Sequence, residues 1–188
     1  MKTLLRLLLV PLFGLALVNT APLASTDESL RPTTVFVLRH AEADDSDPTN
    51  RNPGLSETGI ARSQALARLL ASAGVTHTFC SEYRRTHDTL QPLAEQAKRD
   101  LVEISARTPE AQIEALRALA PGSVAVVTGH SNTAPGLVEA LGVKLTGVER
   151  HPQHGPMLGH DEYDRLYIVT LSPSAEVAST LVELRYGN

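Results

Sequence analysis

Two stretches constrain this chain more than any others. Val35-Phe36-Val37-Leu38 and Ser123-Val124-Ala125-Val126-Val127-Thr128 are free of charge, and each runs straight into a histidine. Short continuous runs of β-branched and aromatic residues suit strands buried on both faces. The first ends in Arg39-His40 and the second in Gly129-His130. Strands covered on both faces need helices above and below, and parallel neighbours need crossover connections between them.

The intervening sequence supplies those helices. Glu42 to Asn52 is polar and turn-rich and reads as a loop. Ser56 to Ala73 carries apolar residues at helical spacing, with Ser56 or Thr58 to cap its start and Gly74 its end. Val75 to Cys80 reads as a short strand. Ser81 to Lys98 reads as a second helix, in which Pro92 predicts a break or kink. Leu101 to Ile104 suits a third strand, and Pro109 to Ala120 a third helix closed by Pro121-Gly122. Thr133 to Leu141 predicts a fourth helix, and Val143 to Asp161 an irregular segment. Leu166 to Leu171 and Thr180 to Arg185 read as closing strands. Alternating strands and helices predict an α/β three-layer sandwich, a mostly parallel central sheet with helices on both faces.

Residues 1–24 have the parts of a secretory signal. Lys2 and Arg6 precede the apolar run Leu7 to Val18, and small residues follow. The expected organisation is a signal peptide over 1–24 and one domain over 25–188. The expected localisation is secreted or periplasmic, with no stable membrane insertion once the signal is removed. Loss of Lys2 and Arg6 takes the formal net charge from −4 to −6. Such a chain has no overall field for nucleic acid, so any phosphate site must be a local basic pocket. The one cysteine, Cys80, excludes an intramolecular disulfide and reads as buried filler.

In α/β sheets, ligands bind beyond the carboxyl ends of the strands. Arg39, His40 and His130 therefore share one rim with Arg84-Arg85, which follow the strand ending at Cys80. Two histidines and two or three arginines make an anion pocket, and phosphate is its natural guest because Arg offers a planar fork of donors. Ser131 and Asn132 either donate into that pocket or cap the next helix. His151, His154, His160 and Asp161 sit in a Gly- and Pro-rich stretch. It reads as a loop over the site rather than a metal centre.

These residues resemble the motifs of the histidine phosphatase superfamily, the phosphoglycerate mutase-like family, over about Thr33 to Leu171. Leu38-Arg39-His40-Ala41-Glu42 is similar to its Arg-His-Gly signature, with Ala41 where the family usually has Gly. Alanine is tolerable there if the backbone does not need positive φ. Ser81, Arg85 and Thr89 fall at the spacing of the second motif, which puts the phosphate-binding arginine on Arg85. Val127 to Thr133 resembles the third motif. The resemblance implies a metal-independent phosphatase without cofactor, acting on a small phosphorylated substrate or phosphoryl group. His40 would be the nucleophile, with Arg39, Arg85, His130 and Ser131 binding phosphate. It implies a carboxylate general acid between the second and third motifs. Glu103 is the positional candidate, and Asp44 in the acidic loop is its equal; Glu42, Asp45, Asp161 and Glu162 are further options. Phosphoglycerate mutase-type transfer and a non-catalytic phosphate-binding module are the alternatives.

Overall fold

A computed structural model describes residues 27–174 and 176–187. The signal expected over 1–24 lies outside the described residues.

Strands β1 (Thr33–Arg39), β2 (His77–Cys80), β3 (Leu101–Glu103), β4 (Val124–Gly129), β7 (Arg165–Leu171) and β8 (Thr180–Arg185) form one sheet in the order β3-β2-β4-β1-β7-β8. The first four in that order are mutually parallel; β7 is antiparallel to β1, and β8 to β7. Four helices, α1 (Glu57–Leu69), α2 (Arg84–Ala97), α3 (Pro109–Arg117) and α4 (Thr133–Ala140), cover the two faces.

The continuous apolar runs are explained by this burial. Val35 and Val37 point to one face, joining Val127, Leu116 of α3, and Leu137 and Val138 of α4. Phe36 and Leu38 point to the other, joining Leu66 of α1, Leu70 at its end, and Leu90 and Leu93 of α2. Side chains alternate across a strand, so a strand with two covered faces must be apolar at every step. Cys80 is packed in the second cluster, and burial raises its thiol to about 12. It is a small hydrophobe, not a thiolate.

Three local expectations change. The first helix ends at Leu69 rather than Ala73, while Ser56 caps it by accepting the Gly59 N–H at 3.1 Å. Pro92 sits within an unbroken α2. Having no N–H, it leaves the Asp88 carbonyl without its helical donor. Ser63 of α1 supplies one instead, its hydroxyl 3.0 Å from the carbonyls of both Asp88 and Thr89. The stretch 143–161 is not wholly irregular either: β5 (Glu149–His151) and β6 (Gly155–Met157) pair as a small antiparallel hairpin.

Candidate active site

The carboxyl ends of β1, β4 and β2 lie side by side, as the pairing of Arg39 with Gly129 and of Phe79 with Val127 requires. The chain leaves β1 through Arg39-His40, and the His40 N–H donates to the Gly129 carbonyl at 2.9 Å. It leaves β4 through Gly129-His130 and turns at once into α4. A Cβ on Gly129 would lie 2.7 Å from Thr133 Oγ1, so only glycine admits so tight a turn. The Thr133 hydroxyl accepts the His130 N–H at 2.8 Å. Thr133 therefore caps this turn; neither Ser131 nor Asn132 does. After β2, Ser81 and Tyr83 lead into α2, which carries Arg85 in its first turn.

His40, Arg39, Arg85 and His130 line one cavity of about 460 Å³ together with Tyr83, Arg107, Ser131 and Asn132. A larger cavity of about 650 Å³ opens at the opposite end of the sheet, near Thr33 and Leu171. No histidine, cysteine or carboxylate lines it among the described residues, so size does not locate the chemistry.

The hydrogen bonds define the state of both histidines. The His40 Nδ1–H donates to the Ala41 carbonyl at 2.7 Å. Its Nε2 must then hold a lone pair, and Arg85 Nε–H donates to it at 3.1 Å. Arg85 Nη2 lies 3.3 Å from His130 Nδ1, and a guanidinium can only donate, so that nitrogen is an acceptor too. His130 Nε2–H therefore donates to Ser81 Oγ at 3.0 Å, and Ser81 Oγ–H in turn to Thr86 Oγ1 at 3.0 Å. The Thr86 hydroxyl donates on to the Tyr83 carbonyl. Burial, reinforced by the Arg85 charge, pushes His40 down to about 3 and His130 to about 4. Both rings are neutral at any ordinary pH.

The cationic partners are held just as firmly. Arg85 lies 4.5 Å over the Tyr83 ring. Arg39 stacks on Tyr163 at 3.9 Å, and its Nη1 donates to the carbonyls of Gly159, His160 and Glu162 at 3.0, 2.8 and 3.3 Å. The Thr89 hydroxyl accepts the Ala41 N–H at 2.9 Å and donates to the Arg85 carbonyl at 2.7 Å. It thus ties the residue after His40 to the turn that carries Arg85. Ala41 is fully buried, and its φ is not positive, so alanine fits where glycine was the commoner expectation.

The carboxylates expected near the site go elsewhere. Glu103 is half-exposed and pairs with His87 at 3.0 Å. Asp44 is exposed and accepts the Ser46 N–H in a local turn. Glu42 forms a two-pronged pair with Arg62, and Asp161 pairs with His160 in solvent. No carboxylate lines the cavity among the described residues. Arg84 is exposed and pairs with Asp88 at 3.3 Å, leaving Arg85 as the arginine of this pair in the cavity. His151 and His154 stack on each other at 4.6 Å, and no cluster of three metal-ligating side chains forms among the described residues. Sequence reasoning missed Tyr83, Arg107 and Tyr163. Tyr83 could have been marked by its place between Ser81 and Arg85; nothing local marks the other two.

A mostly parallel sheet thus brings two neutral histidines and two arginines to one edge, an arrangement suited to holding a phosphoryl group. The sequence profile of the histidine phosphatase superfamily (branch 1) matches residues 35–112. Among solved structures it is similar to a protein described as a putative phosphohistidine phosphatase, SixA, from Agrobacterium tumefaciens. The identity is 27%, over 58% of this chain and 77% of the other, with a TM-score of 0.51. The fold is also that of a SixA protein histidine phosphatase in complex with tungstate (19% identity; 81% and 96% covered; TM-score 0.57). A mycobacterial hydrolase shares it as well (15%; 80% and 97%; TM-score 0.60). No curated protein matches the chain.

Proposed function

We propose that this protein is an exported phosphatase that transfers a phosphoryl group to His40 Nε2 and then to water. One observation carries the proposal: a buried neutral imidazole presents its Nε2 lone pair to a cavity walled by Arg39, Arg85 and His130. A nucleophile must be unprotonated at the attacking atom, and His40 is. In the first step Nε2 attacks phosphorus in line, and the bond to the leaving group breaks with its electron pair going to the leaving group. Arg39, Arg85 and His130, with Ser131 at the rim, hold the equatorial oxygens. Arg85 Nε–H must turn from the lone pair to an oxygen as the phosphoryl group enters. In the second step water attacks, the phosphorus–nitrogen bond breaks, and its electron pair returns to Nε2. The proton lost by water passes to solvent. Arginines here take the charge-balancing role that metal ions play elsewhere.

The walls of the cavity bear on the substrate class. An alkoxide leaves poorly without a proton donor, and among the described residues no carboxylate faces this cavity. An imidazole protonated on its other nitrogen leaves as a neutral molecule and needs no acid from the protein. Phosphohistidine or a related phosphoramidate is therefore the substrate class this reading favours. The description of the Agrobacterium neighbour points the same way. Export to a secreted or periplasmic location is supported by the sequence of residues 1–24 alone. Among the described residues, no helix is long and apolar enough to cross a membrane.

The test uses the protein lacking residues 1–24, with free phosphohistidine, p-nitrophenyl phosphate and a panel of alkyl phosphates. Phosphate release that is fastest from phosphohistidine and abolished by His40→Ala is expected. Release unchanged in His40→Ala would overturn the nucleophile. Phosphate binding without turnover would identify a binding module, and transfer between two positions of one sugar acid a mutase.

A further inference from the structure

Glu162 is half-hidden behind the cavity and does not line it, yet it controls one of the cavity's arginines. Its Oε2 accepts the Gly159 N–H at 2.8 Å, and its own backbone carbonyl accepts from Arg39 Nη1. Its Oε1 takes Arg165 through Nε at 2.9 Å and Nη2 at 2.7 Å, and lies 3.5 Å from Arg185 Nη2. Arg165 is itself buried and reaches on to Glu183 of β8 at 3.1 Å and to the Gly147 carbonyl at 2.7 Å. One carboxylate thus closes the turn from Gly159 to Glu162 and bolts it to the two antiparallel strands of the sheet. That turn supplies all three carbonyls that grip Arg39 Nη1, and Tyr163, the next residue, stacks on its guanidinium.

Resting on the reading of the cavity given above, we propose that Glu162 is a positioning residue. It fixes the carbonyl clamp that aims Arg39 at the phosphoryl group, and it takes no part as an acid. A fixed carboxylate is suited to that task. Burial would raise its pKa, but the Gly159 N–H and the Arg165 and Arg185 guanidiniums outweigh this and hold it ionised. Arg39 cannot place itself: its Nε is buried without a hydrogen-bond partner. Its direction is therefore set through Nη1 and the Tyr163 ring. A clamp misplaced by an ångström costs catalysis far more than it costs folding.

The experiment is a double-mutant cycle of Glu162→Ala and Arg39→Ala, read as kcat/KM for phosphohistidine and as the Kd of inorganic phosphate. Glu162→Ala should lower kcat/KM about tenfold and weaken phosphate binding several-fold in the otherwise native protein. In the Arg39→Ala background it should change either by less than twofold, because the arginine it serves is gone. Glu162→Gln keeps an acceptor for Gly159 but loses the charge, and should fall between native and Glu162→Ala. It keeps the test alive if Glu162→Ala folds poorly. Equal losses in both backgrounds, or none in the native one, would overturn the proposal while leaving the cavity's reading intact. If Arg39→Ala itself had no effect, the reading of the cavity would fall, and this proposal with it.

Discussion

The two histidines tie the stability of the protein to pH in a window where few other groups report. In the folded chain His40 and His130 bind protons only near pH 3 and 4; unfolded, each binds near 6.5. Between about pH 4 and 6.5 the unfolded state therefore holds about one to two more protons than the folded one. Stability is full above the unfolded value and is lost as pH falls below it. Going from pH 6.5 to 5.0, each histidine contributes a loss of about 1.6 kcal/mol, roughly 3 kcal/mol for the pair. That figure is insensitive to the folded values, because both lie below the window. For a domain of this size the loss corresponds to a fall in Tm of roughly 6–12 °C. Thermal melts in phosphate-free buffer at pH 6.5 and 5.0 measure it, and His40→Asn and His130→Asn should each remove about half of the difference. A native Tm unchanged across the window, or variants that keep the full dependence, would refute the claim that these imidazoles are buried and neutral.

Other consequences follow from single contacts. Thr89→Val leaves the buried Ala41 N–H without an acceptor. It should cost about 1–3 kcal/mol in urea melts and lower kcat/KM as the backbone beside His40 relaxes. Gly59→Ala drives a Cβ into the Glu42 carbonyl oxygen at the start of α1, and should lower stability by about 1–3 kcal/mol in the same melts. Glu103→Gln and Asp44→Asn should leave kcat for phosphohistidine within about twofold, since their carboxylates are engaged outside the cavity; a hundredfold loss from either would identify it as the acid.

The strands that build the site were legible because their burial is complete. Val35 to Leu38 and Ala125 to Val127 are buried and apolar at every position, and a histidine soon after the end of such a run can only emerge at the sheet's edge. Arg85 was legible from its spacing to Ser81 and Thr89. The structure gives that spacing a cause: Ser81 holds His130, and Thr89 holds the residue after His40. What stayed hidden depends on long-range partners. Pro92 is tolerated because Ser63, on another helix, donates to the carbonyl it strands. The hairpin of β5 and β6 has strands too short to show a period. Glu103 stands at the right place in the chain, but its side chain turns to His87. Arg39 is aimed by residues 159–163, which no local pattern connects to it.

The central claim is that His40 Nε2 becomes covalently phosphorylated during turnover. Rapid acid-free quenching after mixing the protein with radiolabelled phosphohistidine, followed by peptide mapping, measures this directly. One acid-labile, base-stable phosphoryl group is expected on Nε2 of His40, formed and lost at the rate of turnover and absent from His40→Ala. Steady release of phosphate with the label on no residue, or on any residue other than His40, would contradict it.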